Sequence, residues 1–161
     1  MDLLFKNPES VFSYRVAGVL KYRDAWLLQK PPSDDGDAFV GGHAAFGETN
    51  EQTLRREFSE ELGQAITVGR LMAVGEIFFS WGAKPCHQIC LYYETAFDGA
   101  PSIPVQGIFH GFDDLGGERI DLDYCWVGRE RLPQISLYPP QMAQYLLSGS
   151  REVMHFIYRE D

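Results

Sequence analysis

The sequence predicts a mixed α/β or α+β sandwich, in which a few helices pack on a larger sheet. Short segments rich in aliphatic and aromatic residues, which are typical of strands, recur along most of the chain. Between them stands one segment with a complete set of helix start and stop signals. No strand-helix unit repeats, so the pattern disfavours a barrel of parallel strands.

Several segments have the composition of strands. Residues 11–20 and 25–28 flank a polar turn, so we expect them to form a hairpin. The other predicted strands are residues 38–40, 66–68, 73–80, 87–97, 105–112, 125–127 and 152–158. Residues 98–123 are rich in glycine, proline and aspartate, which is typical of functional loops. A short helix is predicted at residues 141–147, after two prolines.

The composition is that of a soluble globular protein. The chain has 161 residues, of which 45% are hydrophobic and 23% charged, so we expect one domain over residues 1–161. A net charge of -9 repels phosphate backbones and argues against nonspecific nucleic-acid binding. Lys6 and Arg15 interrupt the N-terminal apolar residues, so neither a signal peptide nor a membrane span can be drawn. We therefore expect a cytoplasmic protein with reduced thiols and no membrane partner.

The clearest helix is predicted at residues 50–62. Thr49 can cap its N-terminus, Gln52 completes a capping box, and Gly63 stands where a C-terminal cap belongs. At 100° per residue, Leu54, Phe58 and Leu62 fall on one narrow apolar stripe, which we expect to face the core.

Three glutamates, Glu57, Glu60 and Glu61, lie beside this apolar stripe rather than opposite it. A solvated acidic face is the common interpretation of such a cluster. Two observations argue against it here. Glu57 and Glu61 are like charges one turn apart, and no basic residue lies three or four positions from either. Glu60 and Glu61 also occupy the last turn, where the helix dipole disfavours negative charge. A hard divalent cation, Mg²⁺ or Mn²⁺, would relieve both conflicts.

A longer motif contains these glutamates. From Gly42 the sequence continues with five residues, Glu48, seven residues, and then Arg-Glu-Phe-Ser-Glu-Glu-Leu-Gly, which ends at Gly63. This pattern resembles the Nudix box, G-x5-E-x7-R-E-U-x-E-E-x-G-U, where U is a bulky aliphatic residue. Gln64 departs from it, because an amide stands at the last aliphatic position, and Phe58 is bulky but aromatic.

The resemblance to the Nudix hydrolase family implies an α/β/α sandwich with a mixed central sheet. It also implies metal-dependent hydrolysis of a diphosphate bond, with Mg²⁺ or Mn²⁺ as cofactor. The substrate would be a nucleoside diphosphate linked to another group, and the attacking species a metal-activated water. The net negative charge of the protein is compatible with this substrate, because divalent ions would lie between its carboxylates and the phosphates.

By the same resemblance, Glu57, Glu60 and Glu61 are metal ligands. Glu57, or a carboxylate from the downstream loop, is the candidate base that takes the proton of the water. Arg56 would orient Glu57 through a charge-assisted hydrogen bond, and Glu48 would hold the preceding loop against the helix. For Arg56 and Glu48, surface ion pairing is the structural alternative.

Two further ligands are implied outside the helix. A carbonyl of Gly41 or Gly42 could approach an ion closely, although the glycine pair could also serve only a sharp turn. The family often takes another acidic ligand from a loop outside the box, and we favour Glu118 over Asp121 and Asp123.

Alternative functions share the fold. A binding or regulatory module without catalysis would be expected to have lost part of the glutamate set, which is complete here. Isopentenyl diphosphate isomerase chemistry would need a reactive cysteine among Cys86, Cys90 and Cys125.

The sequence leaves the identity of the nucleoside diphosphate derivative open. Phe46, Phe78, Phe79 and Trp81 could stack on a base but could equally pack in the core, and His43 could touch phosphate or metal. The strand at residues 152–158 could pair with a second copy, so a homodimer is possible.

Overall fold

The computed structural model describes residues 1–30, 36–115 and 118–161, and for 113–115 and 118 the backbone alone. The strands are β1 Leu4–Lys6, β2 Val11–Tyr22, β3 Ala25–Lys30, β4 Ala38–His43, β5 Ile66–Trp81, β6 Lys84–Phe97, β7 Ile108–Leu115, β8 Glu118–Gly128 and β9 Met154–Arg159. The helices are α1 Asn50–Leu62 and α2 Gln141–Ser148, with a 3₁₀ turn at Leu132–Gln134.

The strands form one mixed sheet. The order across it is β7-β8-β3-β4-β2-β6-β5-β9, with β1 added to β2. The pairs β2–β6 and β5–β9 are parallel, and the other pairs are antiparallel. Two parallel neighbours cannot be joined by a tight hairpin, so the chain between them must cross a face of the sheet. The helices of a mixed sheet of this kind therefore pack on its faces.

The two faces of the sheet bear separate hydrophobic cores. Along β2, Val16 and Leu20 belong to one core with Leu54 and Phe58 of α1. Ala17 and Val19, which alternate with them, belong to the other core, which contains the buried residues of α2. Successive side chains of a strand point to opposite faces, so the two helices lie on opposite sides of the sheet. The predicted α/β/α sandwich with a mixed sheet is confirmed.

Helix α1 has the predicted bounds, because its ends are encoded locally. The Thr49 hydroxyl accepts a hydrogen bond from the backbone N–H of Gln52, and the Gln52 side chain accepts one from the backbone N–H of Thr49. Gly63 ends the helix in the left-handed conformation, at φ 60°. Phe58 packs on Gly18 so closely that a Cβ there would lie 2.6 Å from the Phe58 ring.

The structure corrects several of the predicted strands. Residues 66–68 and 73–80 belong to one strand, β5, whose pairing with β6 shifts register twice, around Leu71. The region predicted as a loop before Trp126 instead contains the hairpin of β7 and β8. The predicted strand at residues 105–112 begins at Ile108 and continues to Leu115. β1 was not predicted at all.

Gln64, the residue that departs from the box pattern, is 1% exposed. Its Oε1 accepts a hydrogen bond from the Ser102 backbone N–H at 2.7 Å, and its Nε2 donates one to the Ala65 carbonyl at 2.8 Å. The amide therefore ties the end of α1 to the segment that follows β6. Ile103 of that segment enters the core beneath α1.

Neither helix in the described part of the chain is long and apolar enough to cross a membrane.

Candidate active site

The carboxylate of Glu57 lies against the backbone of Gly42. A Cβ added to Gly42 would stand 2.3 Å from Glu57 Cδ and 2.4 Å from Oε1, so only glycine leaves room for this carboxylate. The Glu57 side chain is 12% exposed. Gly42 pairs with Val16 of β2, on the face that carries α1, which brings the strand and the helix together at this point.

Arg56 joins several residues of the motif through hydrogen bonds. Its Nε and Nη2 donate to the two carboxylate oxygens of Glu48, at 2.8 and 2.9 Å. Its Nη1 donates to Glu57 Oε1 at 2.8 Å and reaches Glu60 Oε2 at 3.3 Å. Its Nη2 also donates to the carbonyl of His43 at 3.1 Å. One guanidinium thus joins the helix to the end of β4 and to the loop between them.

Glu48 is held by donors from three residues. Besides Arg56, the backbone N–H of Ala45 and the hydroxyl of Thr53 donate to its Oε1, at 3.0 and 2.7 Å. The Arg56 hydrogen bonds, followed by the bonds from Ala45 and Thr53, lower the pKa of Glu48 to about 2, although partial burial opposes the shift. The pKa of Arg56 is raised in turn, chiefly by Glu48. Glu48 therefore stays ionised and keeps the loop closed on the helix.

The remaining glutamates of the helix differ in exposure. The Glu60 side chain is 61% exposed, whereas Glu61 is half-buried. Among the described residues, no three His, Cys, Asp or Glu side chains are gathered closely enough to hold a metal ion by themselves. Mg²⁺ commonly takes one or two carboxylates and completes its shell with water and substrate oxygens. The carboxylate of Glu57, fixed beside Gly42, and those of Glu60 and Glu61 on the same helix are oxygen donors of the kind that such an ion takes.

The glycine pair does not form the sharp turn that was expected. Gly41 and Gly42 both belong to β4 and continue directly into His43. A Cβ on Gly41 would lie 2.2 Å from the carbonyl oxygen of Val16, so the close pairing of β4 with β2 requires glycine there. The role of the Gly41 carbonyl as a metal ligand stays a prediction.

The downstream acidic residues lie on the hairpin of β7 and β8. Glu118 is the first residue of β8, and its side chain lies outside the described part of the structure. Asp121 contacts Arg119 at 3.3 Å, and Asp123 contacts His110. Neither of these contacts involves Glu57.

A pocket adjoins the end of β4 on the other face of the sheet. We call it the β4 pocket; it has a volume of about 310 Å³, and its lining includes Arg15, His43, Phe79, Trp81, Gln88 and Tyr138. Phe79 and Trp81 were among the aromatic residues considered from the sequence, whereas Phe46 is largely exposed and Phe78 faces a separate groove. Arg15 and Gln88 were not anticipated. The available signal was a single arginine within a mostly apolar strand.

Comparison with known proteins agrees with the fold and with the motif. A family model described as the NUDIX domain matches residues 13–147. A mutator MutT protein from Bacillus halodurans has a similar structure, with a TM-score of 0.63 and 18% identity over 92% of each chain. An ADP-ribose pyrophosphatase from Streptococcus suis gives a TM-score of 0.59 at 13% identity and covers 89% of this chain and 98% of its own.

The solution structure of the ORF135 protein of E. coli is also similar, with a TM-score of 0.54 and 23% identity over 87% of this chain and 93% of that one. No curated protein sequence matches the chain. Because the family model covers most of the chain, the fold and the motif define a Nudix hydrolase. The chain belongs to the Nudix family.

Proposed function

We propose that this Nudix hydrolase uses Mg²⁺ or Mn²⁺ to cleave the diphosphate bond of a nucleoside diphosphate linked to another group. One observation carries the proposal: the Glu57 carboxylate is seated between the Cα of Gly42 and the guanidinium of Arg56. A carboxylate fixed in this way on a rigid helix is suited to a hard cation. The activity named for the similar Streptococcus suis protein, ADP-ribose pyrophosphatase, belongs to the same class of reaction.

In this proposal Glu57, Glu60 and Glu61 are the metal ligands, each ion taking one or two of these carboxylates, with the carbonyl of Gly41 as a further ligand. When bound, the ion supplies charge neutralisation at the diphosphate and lowers the pKa of water. Glu57 is the candidate base, with Glu118 as the alternative from β8.

Arg56 and Glu48 act as positioning residues in the proposed mechanism. Arg56 fixes Oε1 of Glu57 through its Nη1 and thereby sets the direction of the carboxylate. Glu48 fixes the guanidinium through two hydrogen bonds, so that the plane of Arg56 cannot rotate away.

We propose that residues 1–161 form one catalytic domain in the cytoplasm. β9, at the end of the sheet, is the candidate edge for pairing with a second copy.

The cysteines favour hydrolysis over isomerase chemistry. Cys86 and Cys90 are buried, and burial raises the pKa of each thiol. Cys125 is half-buried. A thiol that resists ionisation is a poor nucleophile or acid-base group at neutral pH. We expect the triple variant Cys86→Ala, Cys90→Ala, Cys125→Ala to keep its hydrolase activity, and its complete loss would support the isomerase alternative.

The test is a panel of nucleoside diphosphate derivatives incubated with Mg²⁺ or Mn²⁺, with Glu57→Gln beside the wild type. We expect Glu57→Gln to lower kcat by at least about 100-fold, because the ligand and candidate base lose their charge. Glu51→Gln is the matched control, because Glu51 is an exposed residue of the same helix whose ion pair within the described chain is with Arg55, at 3.5 Å. Turnover without any divalent metal, or full activity of Glu57→Gln, would refute the proposal.

A further inference from the structure

The β4 pocket begins one residue beyond the box glycines. Gly42 faces α1, and His43, the next residue of β4, points to the opposite face of the sheet. His43 is paired with Arg15 of β2, so these two side chains are cross-strand neighbours on the face of the pocket. The pocket and the Glu57 carboxylate thus border the same end of β4 from opposite faces of the sheet.

Arg15 brings hydrogen-bond donors to the pocket. Its Nη2 donates to the carbonyl of Phe39 at 2.9 Å, and it also contacts the thiol of Cys90. None of the ion pairs in the described parts of the chain involves Arg15, although the negative charge of Glu61 acts on its guanidinium. A guanidinium has five N–H donors and no acceptor, so donors remain for a ligand. A partly buried guanidinium is stabilised most by a ligand that accepts its hydrogen bonds.

Gln88 offers a second donor, because a buried serine fixes its amide. Ser13 is fully buried, and its hydroxyl donates to Gln88 Oε1 at 2.9 Å. The single hydrogen of that hydroxyl is thereby used, so the contact of 2.9 Å between Ser13 Oγ and His43 Nε2 requires His43 to donate. Gln88 lines the pocket with its oxygen engaged, which leaves its NH₂ as the group that can bind a ligand.

His43 is held beside the pocket by Ser13 and packs near Trp81. Its Nε2 lies 2.9 Å from Ser13 Oγ, and the centroids of the His43 and Trp81 rings are 6.1 Å apart. The lining also carries the hydroxyls of Tyr92 and Tyr138 and the indole N–H of Trp81, beside the donor groups of Arg15 and Gln88.

The remaining walls suit a flat ring. Phe79, Trp81 and Tyr138 contribute aromatic surface, and the volume of about 310 Å³ lies at the lower end of the range for small-molecule pockets. Arg15 is the only Lys or Arg among the described residues that line the pocket. A phosphate group would normally be bound by more than one cation, whereas an aromatic ring with carbonyl groups matches both the walls and the donors.

We infer that the β4 pocket selects nucleobases with an oxo edge, guanine or uracil, and that Arg15 is the residue that determines this specificity. The inference rests on the proposed function. Guanine presents O6 and N7 as acceptors, and uracil presents O4, whereas adenine and cytosine carry an amino donor at the corresponding position. An amino group facing Arg15 and Gln88 would place donor against donor. The pocket therefore binds guanine and uracil more tightly than adenine and cytosine.

The test compares GDP-, UDP-, ADP- and CDP-glucose with Mg²⁺, using wild type and Arg15→Gln. In the wild type we expect kcat/KM to favour the two oxo bases by at least about tenfold, because hydrogen bonds to a base edge discriminate against a base that lacks the matching acceptor. Arg15→Gln should raise KM for the oxo substrates and leave kcat nearly unchanged, since the base is remote from the broken bond. In Arg15→Gln the preference for oxo bases over amino bases should largely disappear. Arg131→Gln, at an exposed position outside the pocket, is the matched control.

The outcomes separate this inference from the proposed function. If neither these four substrates nor the wider panel of nucleoside diphosphate derivatives is cleaved with Mg²⁺ or Mn²⁺, the proposed function fails. If all four are cleaved with equal kcat/KM by the wild type, the function stands and the inference is wrong. If Arg15→Gln lowers kcat/KM equally for all bases, Arg15 binds the shared diphosphate, which also overturns the inference. Should Arg15→Gln unfold, Gln88→Glu replaces the second donor with an acceptor and must reduce the oxo preference. Calorimetric titration of the Glu57→Gln protein with GDP and ADP must show tighter binding of GDP.

Discussion

Gly42 and Glu57 are in direct contact, and the absence of a side chain on the glycine makes room for the carboxylate. A methyl group on Gly42 would come within 2.4 Å of Oε1, far inside a normal contact. Because Arg56 also holds that oxygen, the carboxylate cannot move without losing its hydrogen bond. The geometry of the site therefore depends on a residue that has no side chain.

Gly42→Ala is expected to keep the fold and lose activity. The methyl group displaces only the end of the Glu57 side chain, so we expect kcat to fall by about 100-fold or more with a modest change in the melting temperature. Gly128→Ala is the control, because a Cβ there would meet its nearest atom, the Asp24 carbonyl oxygen, at 3.9 Å. Kinetics and thermal unfolding of both variants measure the effect. Equal activity of the two would show that the position of the Glu57 carboxylate is unimportant.

Glu48→Gln should change how stability depends on pH. The pKa of Glu48 falls from 4.5 to about 2 in the folded protein, so its contribution is complete above pH 4.5 and is lost as the pH falls towards 2. By linkage that contribution is roughly 3 kcal/mol. We expect the difference in the free energy of unfolding between wild type and Glu48→Gln to be largest above pH 5 and to shrink towards pH 2. Urea unfolding across this range measures it, and a constant difference would contradict the assignment.

Gln64→Leu restores the aliphatic residue of the box pattern, yet we expect it to destabilise this protein. The Ser102 N–H loses its acceptor, at a cost of about 1–3 kcal/mol in the free energy of unfolding. Gln134→Leu, at an exposed position, should change the same quantity by less than about 0.5 kcal/mol. A Gln64→Leu protein as stable as the wild type would show that the tether contributes nothing.

Magnesium should stabilise the wild type against heating. An ion bound only by the folded protein adds about 2.7 kcal/mol at 100 times its Kd. We expect this rise in melting temperature to be much smaller in Glu57→Gln and to be retained in Glu51→Gln. Scanning calorimetry with and without Mg²⁺, and after treatment with a chelator, tests the metal site independently of turnover. An equal shift in wild type and Glu57→Gln would place the ion elsewhere.

The sequence was sufficient where structure is encoded locally. Helix α1 has its predicted bounds because Thr49, Gln52 and Gly63 specify its ends within a few residues. The contact of Arg56 with Glu57 follows from adjacent positions and the family pattern. β5 was divided in two because its bulges near Leu71 interrupt the alternation of polar and apolar residues from which strands are recognised.

The features that depend on distant residues could not be derived in this way. The order of the strands places Arg15 beside His43 and opposite Cys90, residues that are far apart in the chain. The role of Gln64 depends equally on a partner, Ser102, in a segment without regular structure. A lone arginine in an apolar strand signals a polar environment but does not identify the cavity that provides it.

The pairing of β4 with β2 fixes two neighbouring positions on opposite faces, Gly42 towards the helix and His43 towards the pocket. A slip of one residue in this strand would exchange the two sides, placing an imidazole against Glu57 and a bare backbone in the pocket. Insertions or deletions within Ala38–His43 are therefore incompatible with the site. Divergence of this enzyme towards other ligands is confined to substitutions that preserve the length of the strand.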